Sequence, residues 1–172
     1  MRGGFVAEVG LYMQEVVESF KILVVEDEAD IRQVLCFFLR QSGYDVLDVA
    51  GGQEAIRVIP EYCPHLIILD LMMHPMSGWD VLQWLHTMYQ YPLPPVIIMT
   101  ALVHFSDQKR GFEEGAVEYI TKPAQPNKVV ERVRMLLSLT AEQRLLRQKK
   151  RIEDQQKTLE RLCAAQADEF VY

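Results

Sequence analysis

The sequence predicts an α/β protein built on a five-stranded, doubly wound parallel sheet with helices on both faces. Three observations predict it. Five short apolar runs recur, each leading into a longer amphipathic stretch; strands alternating with helices imply parallel pairing through right-handed crossovers. The run Leu66-Ile67-Ile68-Leu69 is unbroken by polar residues, as a strand covered on both faces must be. That run ends on an acid, Asp70, and then breaks into Met, His, Pro and Gly, which places a carboxylate at the carboxyl edge where open α/β sheets collect their ligands.

The five runs are Lys21–Val25, Tyr44–Val49, Leu66–Leu69, Pro95–Met99 and Ala116–Ile120. Between the first two, Ile31, Val34, Leu35, Phe38 and Leu39 mark one helical face, and Gly43 has the position of a C-terminal cap. Pro60 and Pro64 are expected to end the second helix. Val81, Leu82, Leu85 and Met88 mark the third helical face.

After Pro126 there is no Gly or Pro as far as Gln166, and Val129, Val130, Val133, Leu136 and Leu137 form a core-facing stripe. The spacing predicts one helix that docks on the sheet and continues beyond it. Leu145, Ile152 and Leu159 then recur every seven residues, with Gln148, Gln155 and Leu162 at the paired positions. Two glutamines weaken such a seam, which leaves two readings, a dimeric coiled coil and a single solvated helix. The chain divides into an N-terminal extension (1–19), a main domain (20–138) and a C-terminal helical extension (139–172). The first segment is either a short helix or residues ahead of a true start at Met13.

With 172 residues the chain has room for one domain and an appendage. Up to Thr140 it carries 11 basic and 18 acidic residues, hence −7; beyond it, 7 against 6, hence +1. A negative main domain argues against a nucleic-acid footprint, so no direct nucleic-acid partner is expected. Cys36, Cys63 and Cys163 are odd in number and outside metal spacing, and read as free cytosolic thiols. Glu8 interrupts the only early apolar run, and no run approaches the roughly 18 residues of a membrane span. The expected location is cytoplasmic, away from any membrane.

Four runs deliver polar groups to one edge: Glu26-Asp27 after the first, Asp70 after the third, Thr100 after the fourth, and Lys122-Pro123 after the fifth. Crowded carboxylates need a cation, and Mg²⁺ characteristically takes one or two carboxylates with phosphate oxygens and water. A lysine and a hydroxyl suit the oxygens of a phosphoryl group. The pattern reads as an aspartate that accepts phosphate. The rival reading, carboxylates that merely cap helices, explains neither the lysine nor an acid ending the third strand.

In "ILVVEDE", "LIILDLMMHPMSGWDVL", "VIIMTA" and "VEYITKP" the chain resembles, over residues 20 to about 138, the receiver domain of two-component response regulators. The resemblance implies a flavodoxin-like sheet in the order 2-1-3-4-5. It further implies that Asp70 is the phosphoacceptor and that Asp27 and Asp70 bind Mg²⁺ directly, with Glu26 acting through metal-bound water. The Met72 backbone carbonyl would be a further ligand. Thr100 and Lys122 would contact phosphoryl oxygens, and Lys122-Pro123 would be a cis peptide. Thr100 and Tyr119 match the family's switch positions, and the face of helix four, strand five and helix five would carry the signal.

Implied partners are a sensor histidine kinase or phosphotransfer protein and a downstream protein effector, with a homodimer possible. The leading reading is a single-domain receiver; the alternatives are the receiver front end of a larger signalling protein and a phosphorylation-independent coiled-coil scaffold. A phosphate-ester hydrolase would want an aspartate where Met72 stands. The family positions that tune dephosphorylation hold Met72 and Leu102, which cannot hydrogen-bond an attacking water; slow self-dephosphorylation follows. His74 replaces the usual loop proline and is expected to be solvated. Glu118 and Arg134 are expected to pair, and Arg147-Lys149-Lys150-Arg151 reads as a solvated helix face.

Overall fold

The computed structural model describes residues 19–88 and 93–169, with side chains to Leu162. The elements run β1 (Lys21–Val25), α1 (Ala29–Gln41), β2 (Asp45–Val49), α2 (Gly52–Tyr62), β3 (Leu66–Leu69), α3 (Gly78–Met88), β4 (Val96–Thr100), α4 (Phe105–Glu113), β5 (Glu118–Thr121), α5 (Pro126–Ser138) and α6 (Ala141–Glu169). All strand pairs are parallel, in the order β2-β1-β3-β4-β5. This is the expected fold, including the strand order.

Because successive side chains in a strand point to opposite faces, each central strand feeds two cores. Ile22, Val24, Leu66, Ile68, Ile97 and Met99 pack under α1 and α5, against Leu35, Leu39, Val129, Val133 and Leu136. Leu23, Val25, Ile67, Leu69, Val96 and Ile98 pack on the other face against Ala55 and Ile59 of α2 and Val81, Leu82 and Leu85 of α3. With helices on both faces the polar ends of the strands become the accessible edge.

Several local expectations shift. Pro60 lies inside the last turn of α2, where it forgoes one helical hydrogen bond. Buried Ile59 and the Tyr62 hydroxyl, which donates to Asp45 O at 2.9 Å, hold that turn. The helix stops instead at Cys63, whose φ of 51° is left-handed. Val34 and Met88, placed on apolar stripes by spacing, are exposed, while Cys36 is in the core. The fifth strand begins two residues later than its apolar run, at Glu118. Gly43 ends α1 with φ 87°, the backbone a C-terminal cap needs.

The largest correction concerns the tail. The chain does not form one helix from Asn127 onward: α5 stops at Ser138, Leu139 is extended (φ −84°, ψ 145°), and α6 starts afresh. The Thr140 hydroxyl accepts from Gln143 N at 3.2 Å, and the Gln143 side chain accepts from Thr140 N at 2.8 Å, a reciprocal capping box. Arg144 then donates to the carbonyls of Leu136 and Leu139, satisfying the end of α5. The motif Thr-Ala-Glu-Gln was legible in the sequence; an unbroken absence of Gly and Pro concealed it. After this corner α6 packs against α4. The extension expected over residues 1–19 lies, up to residue 18, outside the described residues.

Candidate functional site

Three chain segments converge where β1, β3 and β5 end. Glu26 is the first residue past β1 and is buried; Asp70, also buried, is the first past β3; Lys122 follows β5 directly. Lys122 Nζ stands 2.6 Å from Asp70 Oδ2 and donates to Glu26 Oε1 at 2.9 Å. Glu26 Oε2 lies 2.7 Å from the same ammonium as an ion pair without taking a hydrogen bond of its own. Asp70 Oδ1 accepts from the Met72 amide at 3.0 Å, so both oxygens of this carboxylate are held.

Burial pushes the Glu26 carboxyl above its ordinary value, and only partly does the Lys122 ammonium pull it back. Burial also works to lower Lys122, but hydrogen bonds and charge attraction from Asp70 and Glu26 prevail and leave it above its ordinary value. The lysine is therefore a fixed cation over most of the pH scale.

Carboxylate oxygens of Glu26, Asp27 and Asp70 lie within 4.8 Å of one another, with Asp27 exposed and the other two buried. Hard oxygen donors, one of them open to solvent, fit a cation that keeps water in its shell. This is the acid cluster the sequence anticipated, and the donor set fits Mg²⁺. Met72 places its side chain in solvent, beside the carboxylate its amide contacts.

Thr100 ends β4, paired in register with Thr121, and its carbonyl accepts from Lys122 N at 2.8 Å. Its hydroxyl is buried and has no hydrogen-bond partner among the described residues. A buried hydroxyl without a partner costs free energy until an acceptor arrives. Tyr119, on β5, donates from its hydroxyl to Leu102 O at 3.1 Å, and burial pushes the phenol upward. Lys122–Pro123 is cis, as expected, and so is His74–Pro75. His74 is exposed.

Two functional contacts escaped the sequence reading. Arg32 on α1 donates to Glu26 O at 2.6 Å and Asp27 O at 3.2 Å, fixing the acidic loop by its backbone. Glu118 does not pair with Arg134. It pairs with Arg147 at 2.6 Å and Arg151 at 3.0 Å, two arginines expected to face solvent. One turn of helix separates them, which was a signal, but nothing in the sequence says that the helix folds back.

A doubly wound sheet in the order β2-β1-β3-β4-β5, whose carboxyl edge joins buried acids to a lysine, is an α/β protein of the flavodoxin-like class. The family model for the response regulator receiver domain matches residues 22–134, and the chain belongs to that family. The probable transcriptional regulator ycf27 of Porphyridium aerugineum is 42% identical over 117 residues, covering 68% of this chain and 48% of that protein. The phosphate regulon transcriptional regulatory protein PhoB of Escherichia coli is 38% identical, with 68% and 51% covered. Among solved structures, a response regulator from Chloroflexus aurantiacus is 30% identical with a TM-score of 0.64, covering 71% of this chain and 100% of that one. The Francisella response regulator 1452 receiver domain is 28% identical with a TM-score of 0.65, covering 69% and 97%.

The chain spans about half the length of the curated relatives it matches. Their names place them in transcription, which runs against the expectation of no nucleic-acid partner drawn from net charge. Charge on a receiver reports only on the receiver. Receiver domains work with histidine kinases. Among the described residues no helix is long and apolar enough to cross a membrane.

Proposed function

We propose that this chain accepts a phosphoryl group on Asp70 from a partner histidine kinase or phosphotransfer protein, in the cytoplasm, with Mg²⁺ bound at Glu26, Asp27, Asp70 and the Met72 carbonyl. Residues 20–138 are the receiver and residues 139–172 a helical extension. The observation that carries this reading is the ammonium of Lys122 held between Asp70 and Glu26, beside a third carboxylate, at the open edge of the sheet.

In the transfer, an electron pair of an Asp70 carboxylate oxygen forms the new O–P bond, while the donor's P–N bond breaks and its pair leaves with the imidazole. When bound, the metal neutralises charge on the phosphoryl oxygens and the acids around them. Lys122 moves from Asp70 Oδ2 to a phosphoryl oxygen, keeping one anion within reach at each stage. Thr100 supplies a hydroxyl that has no partner among the described residues and would gain one in the phosphoryl group. Arg32 holds the backbone that aims Glu26 and Asp27. The product is an acyl phosphate, whose charge biases the α4, β5 and α5 surface toward a second arrangement that a downstream protein reads.

A second reading, in which the receiver forms one part of a larger transcription-regulating protein, is favoured by the half-length match to such regulators. Both readings share the same first test. Intact mass after incubation with acetyl phosphate and Mg²⁺ should show one phosphate adduct, absent from Asp70→Asn. A chain that gains no adduct, or gains it equally in the variant, refutes the assignment.

A further inference from the structure

The contact between α6 and the receiver is polar where a permanent helix contact is apolar. Arg147 and Arg151 reach down to Glu118, Gln148 donates to Phe112 O at 2.6 Å, and Gln155 donates to the Gln108 side chain at 2.9 Å. Leu145, Leu146 and Leu162 of the same helix remain exposed. The glutamines suspected of weakening a coiled-coil seam are thus the residues that grip α4. Two buried atoms of this contact, Arg147 Nε and Gln155 Oε1, have no partner among the described residues. Each such orphan offsets part of what the other contacts contribute.

Under the helix lies a cavity of about 490 Å³ lined by residues including Glu118, Tyr119, Lys128 and Arg132, which leaves α6 incompletely packed on β5 and α5. The helix joins the receiver only through the extended corner at Leu139 and Thr140. Glu118 is 3% exposed because the two arginines cover it. A buried carboxylate that loses its cations cannot stay buried as an anion, so undocking exposes both partners together.

This face touches the site through Tyr119. Its ring lies 6.3 Å from that of Phe112, whose carbonyl takes Gln148, and its hydroxyl is held by Leu102, two residues beyond Thr100. The phenol thus ties the segment that follows Thr100 to the surface that α6 grips. On the proposed function, a phosphoryl oxygen that drew Thr100 toward Asp70 would shift the carbonyl on which Tyr119 rests, and Tyr119 also lines the α6 cavity.

We propose that α6 is a strap, carried by the chain itself, that closes the Glu118–Tyr119 face in the unphosphorylated protein and is released when Asp70 is phosphorylated. This rests on Asp70 being the phosphoacceptor. The face is then masked in cis before signalling and uncovered by it, with Arg147 and Arg151 exchanging an internal carboxylate for solvent or an acidic partner surface.

The test is hydrogen exchange of the full chain, read by mass spectrometry with the intact mass of each sample. Unmodified protein should protect the amides of residues 145–160. With acetyl phosphate and Mg²⁺ the adduct-bearing chain should exchange there at least tenfold faster, with β4 unchanged. The Arg147→Ala/Arg151→Ala variant should show the same acceleration with no adduct and should still take phosphate on Asp70. An adduct with α6 protection intact overturns the release. A double variant as protected as the parent overturns the strap. Absence of any adduct refutes the phosphoacceptor reading and the release with it, and the double variant still decides whether the arginines hold α6.

Discussion

Lys122 Nζ and Asp70 Oδ2, 2.6 Å apart, link the ends of two strands that are not neighbours in the sheet. Between β3 and β5 lies β4, so the lysine reaches across the width of a strand to meet the acid. Thr100 ends that intervening strand, and its buried hydroxyl has no hydrogen-bond partner among the described residues. One side chain thus spans the strand that ends in the residue proposed to respond to phosphorylation.

Replacing Lys122 by Met removes the donor proposed to follow the phosphoryl oxygens through transfer. Loss of one such preorganised donor typically costs 10²–10³ in rate. The rate of adduct formation from acetyl phosphate should fall by about 100-fold or more, measured as mass against time. The same change strips Glu26 and Asp70 of their cation, so the metal-free variant should also melt lower than the parent.

The raised Lys122 fixes a direction in pH. Its proton is held more tightly in the folded chain than in the unfolded one, so its contribution to stability is fully present below the ordinary value of 10.5 and fades as pH climbs past that value toward the folded one. Tyr62, pushed up to about 12 by burial with the Asp45 charge, contributes with the same sign across pH 10 to 12. Metal-free protein should therefore lose thermal stability steeply above pH 10. Lys122→Met should show a shallower slope, and equal slopes would remove the lysine from the account.

Carboxylates of Glu26, Asp27 and Asp70 that lie within 4.8 Å of one another repel, and a bound cation relieves them. Magnesium at a hundred times its Kd should stabilise the fold by about 2.7 kcal/mol through mass action. Asp27→Asn should abolish most of the rise in Tm. Asp27 is exposed, so the variant loses little packing and isolates the metal contribution.

The architecture was legible because it follows from pattern. Alternating runs and stripes require a parallel sheet, and an acid after an apolar run has only the sheet edge to occupy. Glu26, Asp27, Asp70 and Lys122 meet as their positions after the first, third and fifth strands demand. What the sequence concealed is long-range and polar. Arg32 holds the carbonyls of Glu26 and Asp27 through one nitrogen while its Nε pairs with Asp48 at 3.4 Å, and Glu118 pairs with residues 29 and 33 positions away across a corner. A heptad count extracts a seam from Leu145, Ile152 and Leu159, whereas Gln148 and Gln155 are used on α4. Periodicity identifies which residues share a helix face, and it is silent on what that face meets.

Gly78 opens α3 against the loop that begins at Asp70. A Cβ there would stand 2.1 Å from Asp70 O and 2.7 Å from Leu71 Cα, both backbone atoms that cannot swing aside. Gly78→Ala should displace the backbone that carries Asp70 and cost about 1–3 kcal/mol, the usual range for overpacking. Urea unfolding checks the stability, and adduct formation checks the site. A variant as stable as the parent would show that the two segments separate freely.

The lifetime of the phosphorylated state should be long. Hydrolysis of an acyl phosphate needs a water aligned with the phosphorus, and a side chain that can hydrogen-bond that water accelerates the step. The two positions that the resemblance to receiver domains associates with tuning this step hold Met72, with its side chain in solvent, and Leu102, partly buried against the core. Neither carries a donor or acceptor suited to orienting water. Purified adduct, freed of donor and followed by mass, should persist for many minutes rather than seconds. Met72→Asn introduces an amide at the exposed position and should shorten that lifetime several-fold without altering the rate of phosphorylation to the same degree. An adduct that decays in seconds in the parent chain would mean that water is oriented by another group, and Thr100, beside the site with a free hydroxyl, is then the first residue to substitute.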